Sequence, residues 1–104
     1  MSVLEAGLQI SGFRLDGVAV IVVCGGLDTD AASSLRATFD GLAPDDHVYV
    51  DCADVEYVDA AGLAVLSEMA RRNVILGGPL HVHASSALRR IIEVSGVQHL
   101  FTLD

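Results

Sequence analysis

Residues 55–66 have the sequence VEYVDAAGLAVL, and this stretch decides how the chain folds. Its first residues form an extended apolar run, and after Gly62 the apolar residues recur at helical spacing. Asp59 can accept hydrogen bonds from a first helical turn, so the pattern predicts a helix that begins near Ala61. Small residues leave the start of this helix nearly bare, which favours an approaching anion or the backbone of another protein. A tight loop packed under its neighbours explains the same residues.

The residues that precede this stretch predict a hairpin. Residues 8–15 form a strand candidate, and Asp16-Gly17 is a strong turn signal. Residues 18–23 follow as a β-branched run that is apolar on both faces, which is typical of a central strand covered on both sides. We expect the two runs to pair antiparallel and residues 24–28 to form a loop.

The rest of the chain alternates helices and strands. Because single helices separate the later strands, those strands are expected to be parallel and joined by right-handed crossovers. The sequence predicts an α/β fold whose mixed sheet of four to five strands opens with an antiparallel hairpin and continues with parallel βα units and three main helices. Whether helices cover one face of the sheet or both is left open. The further elements are expected at residues 29–41 (helix, capped by Asp28 or Thr29), 48–51 (strand), 54–59 (extended connection), 61–73 (helix ending in Arg71-Arg72), 80–84 (strand), 87–95 (helix, stopped by Gly96) and 101–103 (strand), with a turn at 44–46.

The length, hydrophobic content and charge of the chain limit the number of domains and the kinds of partner that we expect. With 104 residues we expect one domain that spans 1–104, and a hydrophobic content of 52% excludes a disordered chain. The net charge of −8 argues against nucleic acid and anionic membranes as partners, because phosphate groups attract clusters of basic side chains. No leader peptide is evident, and the longest strongly apolar run, residues 18–24, is too short to span a bilayer. We therefore expect a cytoplasmic protein.

No arrangement of residues predicts catalysis, so we expect neither enzyme activity nor a cofactor. His81 and His83 would share one face of a strand, but no third ligand has a defined spacing to them, and no metal site is predicted. Gly25-Gly26 lacks the spacing of a nucleotide-binding loop, and a tight turn explains this pair.

Three stretches in order resemble the STAS family, which is named after sulfate transporters and anti-sigma factor antagonists. Residues 23–28 resemble a signature of strand, Gly-Glu-Leu-Asp and helix, with Gly26 in place of the common Glu. Residues 48–51 and 55–63 resemble a strand that ends in Asp, followed by Asp-Ser-Ser/Ala-Gly-Leu and a helix. Residues 88–101 resemble the last helix of the family, its glycine and its terminal aromatic residue. The resemblance extends over nearly the whole chain.

The resemblance implies a bacterial regulatory module that binds protein. In antagonists of this family, the serine directly after the signature Asp is phosphorylated by a partner anti-sigma factor, a GHKL-type kinase; the unmodified antagonist binds that kinase and frees a sigma factor. Here this position is Ala60, which has no hydroxyl group to accept a phosphate. We therefore interpret the chain as an antagonist that is not switched at Ala60. Its partner-binding surface is expected to comprise Gly25, Gly26, Asp28, Asp59, Ala60, Ala61, Gly62, Ala64 and Ser67.

Other interpretations stay open. One is a STAS subunit or scaffold of another complex, of the lipid-transport or stress-complex type. Another is a small-ligand or nucleotide-binding STAS domain that uses the bare helix start. A weak homodimer and regulation at other residues are also left open. The residues considered for such regulation are Thr29, Ser33, Ser34 and Ser67, together with Cys24 and Cys52 as a thiol switch, although ordinary buried thiols are the simpler interpretation of the cysteines.

Overall fold

The computed structural model describes residues 8–42, 47–76 and 78–104. The turn expected at 44–46 and the amino-terminal residues 1–7 lie outside this part of the chain. Within the described ranges, five strands and three α-helices follow one another, with a 3₁₀ helix before the last strand. Their bounds are β1 (Leu8–Leu15), β2 (Val18–Leu27), α1 (Thr29–Asp40), β3 (His47–Val58), α2 (Ala60–Leu76), β4 (Leu80–Ala84), α3 (Ser86–Val94), the 3₁₀ helix (Gln98–Leu100) and β5 (Phe101–Leu103).

The sheet begins with a hairpin and continues with parallel strands. β1 and β2 pair antiparallel around Asp16 and Gly17, whose positive φ angles of 51° and 79° suit a tight hairpin turn. β2, β3, β4 and β5 then pair in parallel, so that the strands lie side by side in chain order. This mixed sheet with its three helices confirms the predicted α/β fold.

All three helices pack on the same face of the sheet. The alternate residues Ala19, Ile21 and Val23 of β2 are buried, and Ile21 and Val23 belong to the core cluster under the helices, whereas the residues between them are only half-buried. The prediction that β2 is covered on both sides is therefore wrong. Crossovers between parallel strands are right-handed, and each connection here advances to the next strand in the same direction, so every helix reaches the same side.

The core fills the space between that face and the helices. Leu35 of α1, Leu66 of α2 and Ile92 of α3 are fully buried in one cluster with Ile21 of β2 and Val82 of β4. Burial of one such side chain contributes roughly 1.5–3 kcal/mol. The fold therefore depends on many aliphatic contacts of moderate size rather than on a few large aromatic ones.

Several element boundaries differ from those predicted. β2 continues to Leu27, so the residues expected to form a loop complete the strand instead. β3 is one strand over His47–Val58, because pairing with β2 continues through the expected connection, with shifts in register. α2 extends to Leu76 instead of ending near Arg71 and Arg72. Arg72 lies inside the helix, where it binds Asp40 of α1 at 2.9 Å and covers the Phe39 ring.

Substitution of the core residue Leu66 by alanine tests this description of the core. Leu66 is fully buried, so Leu66→Ala should lower the free energy of unfolding by about 2–5 kcal/mol, because it removes apolar contacts and leaves a cavity. Urea unfolding followed by circular dichroism measures the change. Ile75 lies on the same helix but is 83% exposed, so Ile75→Ala should change stability by no more than about 0.5 kcal/mol. Equal losses in the two variants would contradict the burial assigned to α2.

Candidate functional site

Two helices begin side by side at the carboxyl edge of the sheet, because β2 and β3 are parallel neighbours. Asp28, rather than Thr29, caps α1: the Ala31 N–H donates a hydrogen bond to Oδ1 of Asp28 at 3.0 Å. Asp59 caps α2, where the Gly62 N–H donates to Oδ1 of Asp59 at 2.9 Å. Each carboxylate satisfies a backbone donor at the positive end of its helix. The capping role predicted for Asp59 is confirmed.

The start of α2 lies directly against the end of β2. The Asp59 N–H donates a hydrogen bond to the carbonyl oxygen of Leu27 at 3.1 Å. Gly62 faces the same carbonyl group so closely that a Cβ atom at this position would lie 2.3 Å from its oxygen. Such an approach leaves no room for any side chain. Gly62 therefore serves the packing of a tight loop, while the residues just before it remain accessible.

Tyr57 covers the end of β2 from the neighbouring strand. Its ring lies over Gly26, where a Cβ atom would be 2.2 Å from the ring carbon Cζ. Its hydroxyl group donates a long hydrogen bond to Oδ2 of Asp28 at 3.4 Å. Tyr57 is absent from the residues predicted for the site. The signal that identifies it is an aromatic residue two positions before Asp59, next to a strand that ends in glycines.

The site is acidic. The pKa of the Tyr57 hydroxyl group is raised, mainly by the carboxylate of Asp28 and to a smaller extent by Asp59 and Glu56. Negative charge disfavours the phenolate, so Tyr57 stays neutral and remains a hydrogen-bond donor near neutral pH. The carboxyl edge therefore presents one neutral aromatic side chain among carboxylates.

The structure brings most of the predicted residues to this edge but buries some of them. Gly26 and Gly62 are buried and matter through the space they leave for Tyr57 and Leu27. Gly25 is half-buried and has a positive φ of 78° near the end of β2. The residues that reach solvent form a patch around the start of α2, which we call the Asp59 surface. It comprises Asp28, Tyr57, Asp59, Ala60, Ala61 and Ala64.

Ser67 does not belong to this surface. Its side chain is only 5% exposed, because position 67 lies on the inward side of α2 together with Leu66 and Ala70. The prediction that Ser67 contacts a partner from the exposed side of the helix is therefore wrong, and its burial also argues against modification there. Of the other hydroxyl groups considered for regulation, Thr29 and Ser33 are exposed, and their modification stays a prediction.

The two cysteines are free and face opposite sides of the sheet. Cys52 is buried under the helices, and burial raises the pKa of its thiol to about 12. Cys24 is half-buried on the other face, where burial first and then the charges of Asp54 and Asp51 raise its thiol pKa. Both thiols are free in the structure, and regulation through them stays a prediction.

The paired histidines of β4 lie on the face of the sheet away from the helices. His81 and His83 are both exposed there, and the ring of Tyr49 lies 6.4 Å from that of His81. Among residues 8–42, 47–76 and 78–104, no three His, Cys, Asp or Glu side chains come together as metal ligands. Across the same described ranges, the helices are too short or too polar to cross a membrane.

The sequence matches a family of known domains over most of its length. A family model described as "Mlab, STAS domain" matches residues 11–103. The chain belongs to the STAS domain family. The resemblance seen in three separate stretches of sequence is thereby confirmed. No curated protein matches the sequence significantly.

Solved structures similar to this STAS domain include anti-sigma factor antagonists. An anti-sigma factor antagonist from Mycobacterium paratuberculosis is 27% identical, with a TM-score of 0.78, and the match covers 91% of this chain and 83% of that one. The anti-sigma factor antagonist SpoIIAA, in its unphosphorylated form, is 18% identical, with a TM-score of 0.68 and coverage of 92% and 88%. A candidate antagonist from Thermotoga maritima is 15% identical, with a TM-score of 0.73 and coverage of 90% and 84%. The last two identities are low enough that these structures support the fold alone.

Replacement of Gly62 by alanine tests the contact between α2 and β2. The new Cβ atom would meet the Leu27 carbonyl oxygen, so Gly62→Ala should lower the free energy of unfolding of the STAS domain by about 1–3 kcal/mol. Gly41→Ala is the matched control, since its Cβ atom would meet no atom closer than 3.5 Å and its φ is −79°. The control should leave stability unchanged or raise it by about 0.4–1 kcal/mol. Both values follow from urea unfolding, and an unaffected Gly62→Ala variant would contradict the close approach.

Thiol labelling tests the burial of the cysteines. Because its pKa is raised to about 12, Cys52 should not react with iodoacetamide in the folded STAS domain near neutral pH. Cys24, whose pKa is also raised, should react more slowly than a free cysteine. Both should react quickly after unfolding in urea, and peptide mapping by mass spectrometry measures each site. Rapid labelling of Cys52 in the folded protein would contradict the structure.

Proposed function

We propose that this STAS domain is an anti-sigma factor antagonist, which binds an anti-sigma factor through the Asp59 surface and thereby frees a sigma factor. The observation that supports it best is the accessible start of α2, where Ala60 and Ala64 are exposed and small enough to let a partner approach the backbone closely. The similarity to the Mycobacterium paratuberculosis antagonist, at 27% identity, supports the same function. The proposed role requires a bacterial, cytoplasmic protein and a protein partner rather than a substrate.

Ala60 gives the proposed antagonist a distinct regulation. It is the first residue of α2 and is exposed. By the resemblance of residues 55–63 to the signature of the antagonists, it takes the position of their phosphorylated serine. A phosphate there would add a charge of about −1.5 to −2 to a surface that must pack against the partner. Alanine cannot accept a phosphate, so a GHKL-type kinase partner has no means of releasing itself at this position. Binding then depends on the concentrations of the two proteins.

A second candidate function is a STAS subunit or scaffold of another complex, of the lipid-transport or stress-complex type. The specific observation that favours it is the description of the matching family model, which bears the name Mlab rather than that of an antagonist. The absence of a phosphoacceptor at Ala60 suits a constitutive subunit equally well. The two candidates differ in the identity of the partner.

A pull-down with the variant Ala60→Glu tests both the surface and the function. The tagged chain is incubated with extract of its native cells, and the recovered proteins are quantified by mass spectrometry. Wild type should recover a GHKL-type anti-sigma factor, and Ala60→Glu should lose it, because a charge would be placed inside the interface. Glutamate in the first turn of a helix is favourable to the helix dipole, so the variant should fold normally.

Ala37→Glu is the control for this experiment, since Ala37 is exposed near the other end of α1 and lies away from the Asp59 surface. It should recover the same partner as wild type. Recovery of transporter subunits or of large STAS assemblies, without an anti-sigma factor, would replace the first candidate by the second. Equal recovery by wild type and Ala60→Glu would refute binding through the Asp59 surface.

A further inference from the structure

Tyr57 is the largest side chain of the Asp59 surface. The other members of this surface are alanines and aspartates, which offer little apolar area to a partner. The Tyr57 side chain remains 53% exposed, although one part of it packs on the backbone of β2. Tyrosine contributes strongly to protein interfaces because its large ring can be buried while its hydroxyl group keeps a hydrogen bond. In a complex, this ring would bury more apolar area than any other residue of the surface.

The ring is held in place before any partner arrives. Gly26 lies opposite Tyr57 in the parallel pairing of β2 and β3, and only a residue without Cβ leaves room for the ring. At the far end of the side chain, the hydroxyl group makes a long, weak hydrogen bond of 3.4 Å to Asp28, so the packing on Gly26 is the main restraint on the ring. A side chain that is already restrained loses less conformational entropy on binding than a free one. Gly26 therefore provides the space in which the Tyr57 ring packs.

The charges near the ring indicate the chemistry of the partner. The carboxylate of Asp28 lies beside the ring, with its Oδ2 atom 3.4 Å from the Tyr57 hydroxyl oxygen, and Asp59 and Glu56 add smaller negative contributions. A basic side chain placed on the exposed ring face would gain a cation–π contact and a carboxylate neighbour at the same time. An acidic side chain at that place would be repelled by the Asp28 carboxylate.

We infer that Tyr57, packed on Gly26, is the aromatic anchor of the interface, and that the partner places an arginine or lysine side chain on the exposed face of the Tyr57 ring. This inference rests on the proposed function, because it assumes a protein partner at the Asp59 surface. It adds the residue that contributes most to affinity and the chemistry that this residue selects in the partner.

The test measures affinity for the protein that wild type recovers from the extract and Ala60→Glu loses. That protein is purified and titrated into each variant by isothermal titration calorimetry. Tyr57→Ala should weaken binding at least about 10-fold, as expected for an interface hot spot. Tyr57→Phe keeps the ring and should stay within about 3-fold of wild type. Gly26→Ala should also weaken binding, because the new methyl group displaces the ring while leaving the tyrosine in the sequence.

Phe13→Ala is the matched control. Phe13 is 51% exposed, close to the exposure of Tyr57, but it lies near the hairpin turn at the opposite end of β2. It should bind as wild type does. Raising the NaCl concentration should weaken wild-type binding and have less effect on Tyr57→Ala, since the basic contact would already be lost.

The outcomes separate this inference from the proposed function. If Ala60→Glu loses the partner but Tyr57→Ala binds it as tightly as wild type, binding through the Asp59 surface is supported and the role of Tyr57 as its anchor is refuted. If Tyr57→Ala weakens binding but NaCl weakens the binding of wild type no more than that of the variant, the basic contact on the ring is refuted. If wild type recovers no protein that Ala60→Glu loses, the proposed surface and the anchor fail together.

Discussion

The first turn of α2 lies against the carbonyl group of Leu27, and the geometry of the whole carboxyl edge depends on this contact. The carbonyl oxygen accepts a hydrogen bond from Asp59, and Gly62 allows the helix backbone to approach it without a side chain between them. The contact joins the end of one strand to the start of the helix that follows the next strand. It therefore fixes the distance between the two helix caps, and with it the shape of the surface that a partner would meet.

The same caps disfavour a small anionic ligand at this edge. A helix start attracts anions because its first N–H groups lack partners. Here the Asp59 carboxylate already accepts the N–H of Gly62, and Asp28 accepts that of Ala31. Both caps also bring negative charge, which would repel a phosphate. A protein surface, which can present basic groups and apolar area together, suits the edge better than a free nucleotide does.

The sequence predicts the fold well because its periodicity is strong, and it predicts the site less well because the site depends on contacts between strands. The hairpin turn, the Asp59 cap and the order of strands and helices follow from local patterns, whereas the ends of β2 and β3 do not. The role of Gly26 does not, since it depends on the ring of Tyr57, which is distant in sequence and adjacent only through parallel pairing. Ser67 shows the same limit, because the boundary between the exposed and buried sides of α2 is set by how the helix tilts against its neighbours.

The topology explains why the helix starts gather at one edge. Every parallel strand runs in the same direction, so every helix that follows a strand begins at the carboxyl edge. The third helix conforms to this arrangement: Ser85 caps α3 by accepting the Leu88 N–H, and its own N–H donates to the carbonyl group of Cys52 in the neighbouring strand. All three helix starts therefore lie at the edge where the proposed partner contacts are placed.

Alanine instead of serine at position 60 is compatible with the structure of this edge. Asp59 caps α2 and Gly62 allows the close approach to β2, so neither of these contacts depends on the side chain of Ala60, the first residue of the helix. Alanine at that place even has the higher helix propensity. A phosphorylation switch would need a hydroxyl group on residue 60, whereas the shape of the edge depends on Asp59 and Gly62. Alanine instead of serine at position 60 leaves no phosphoacceptor there, while both Asp caps, the packing of Tyr57 on Gly26 and the exposed side of α2 do not depend on this residue.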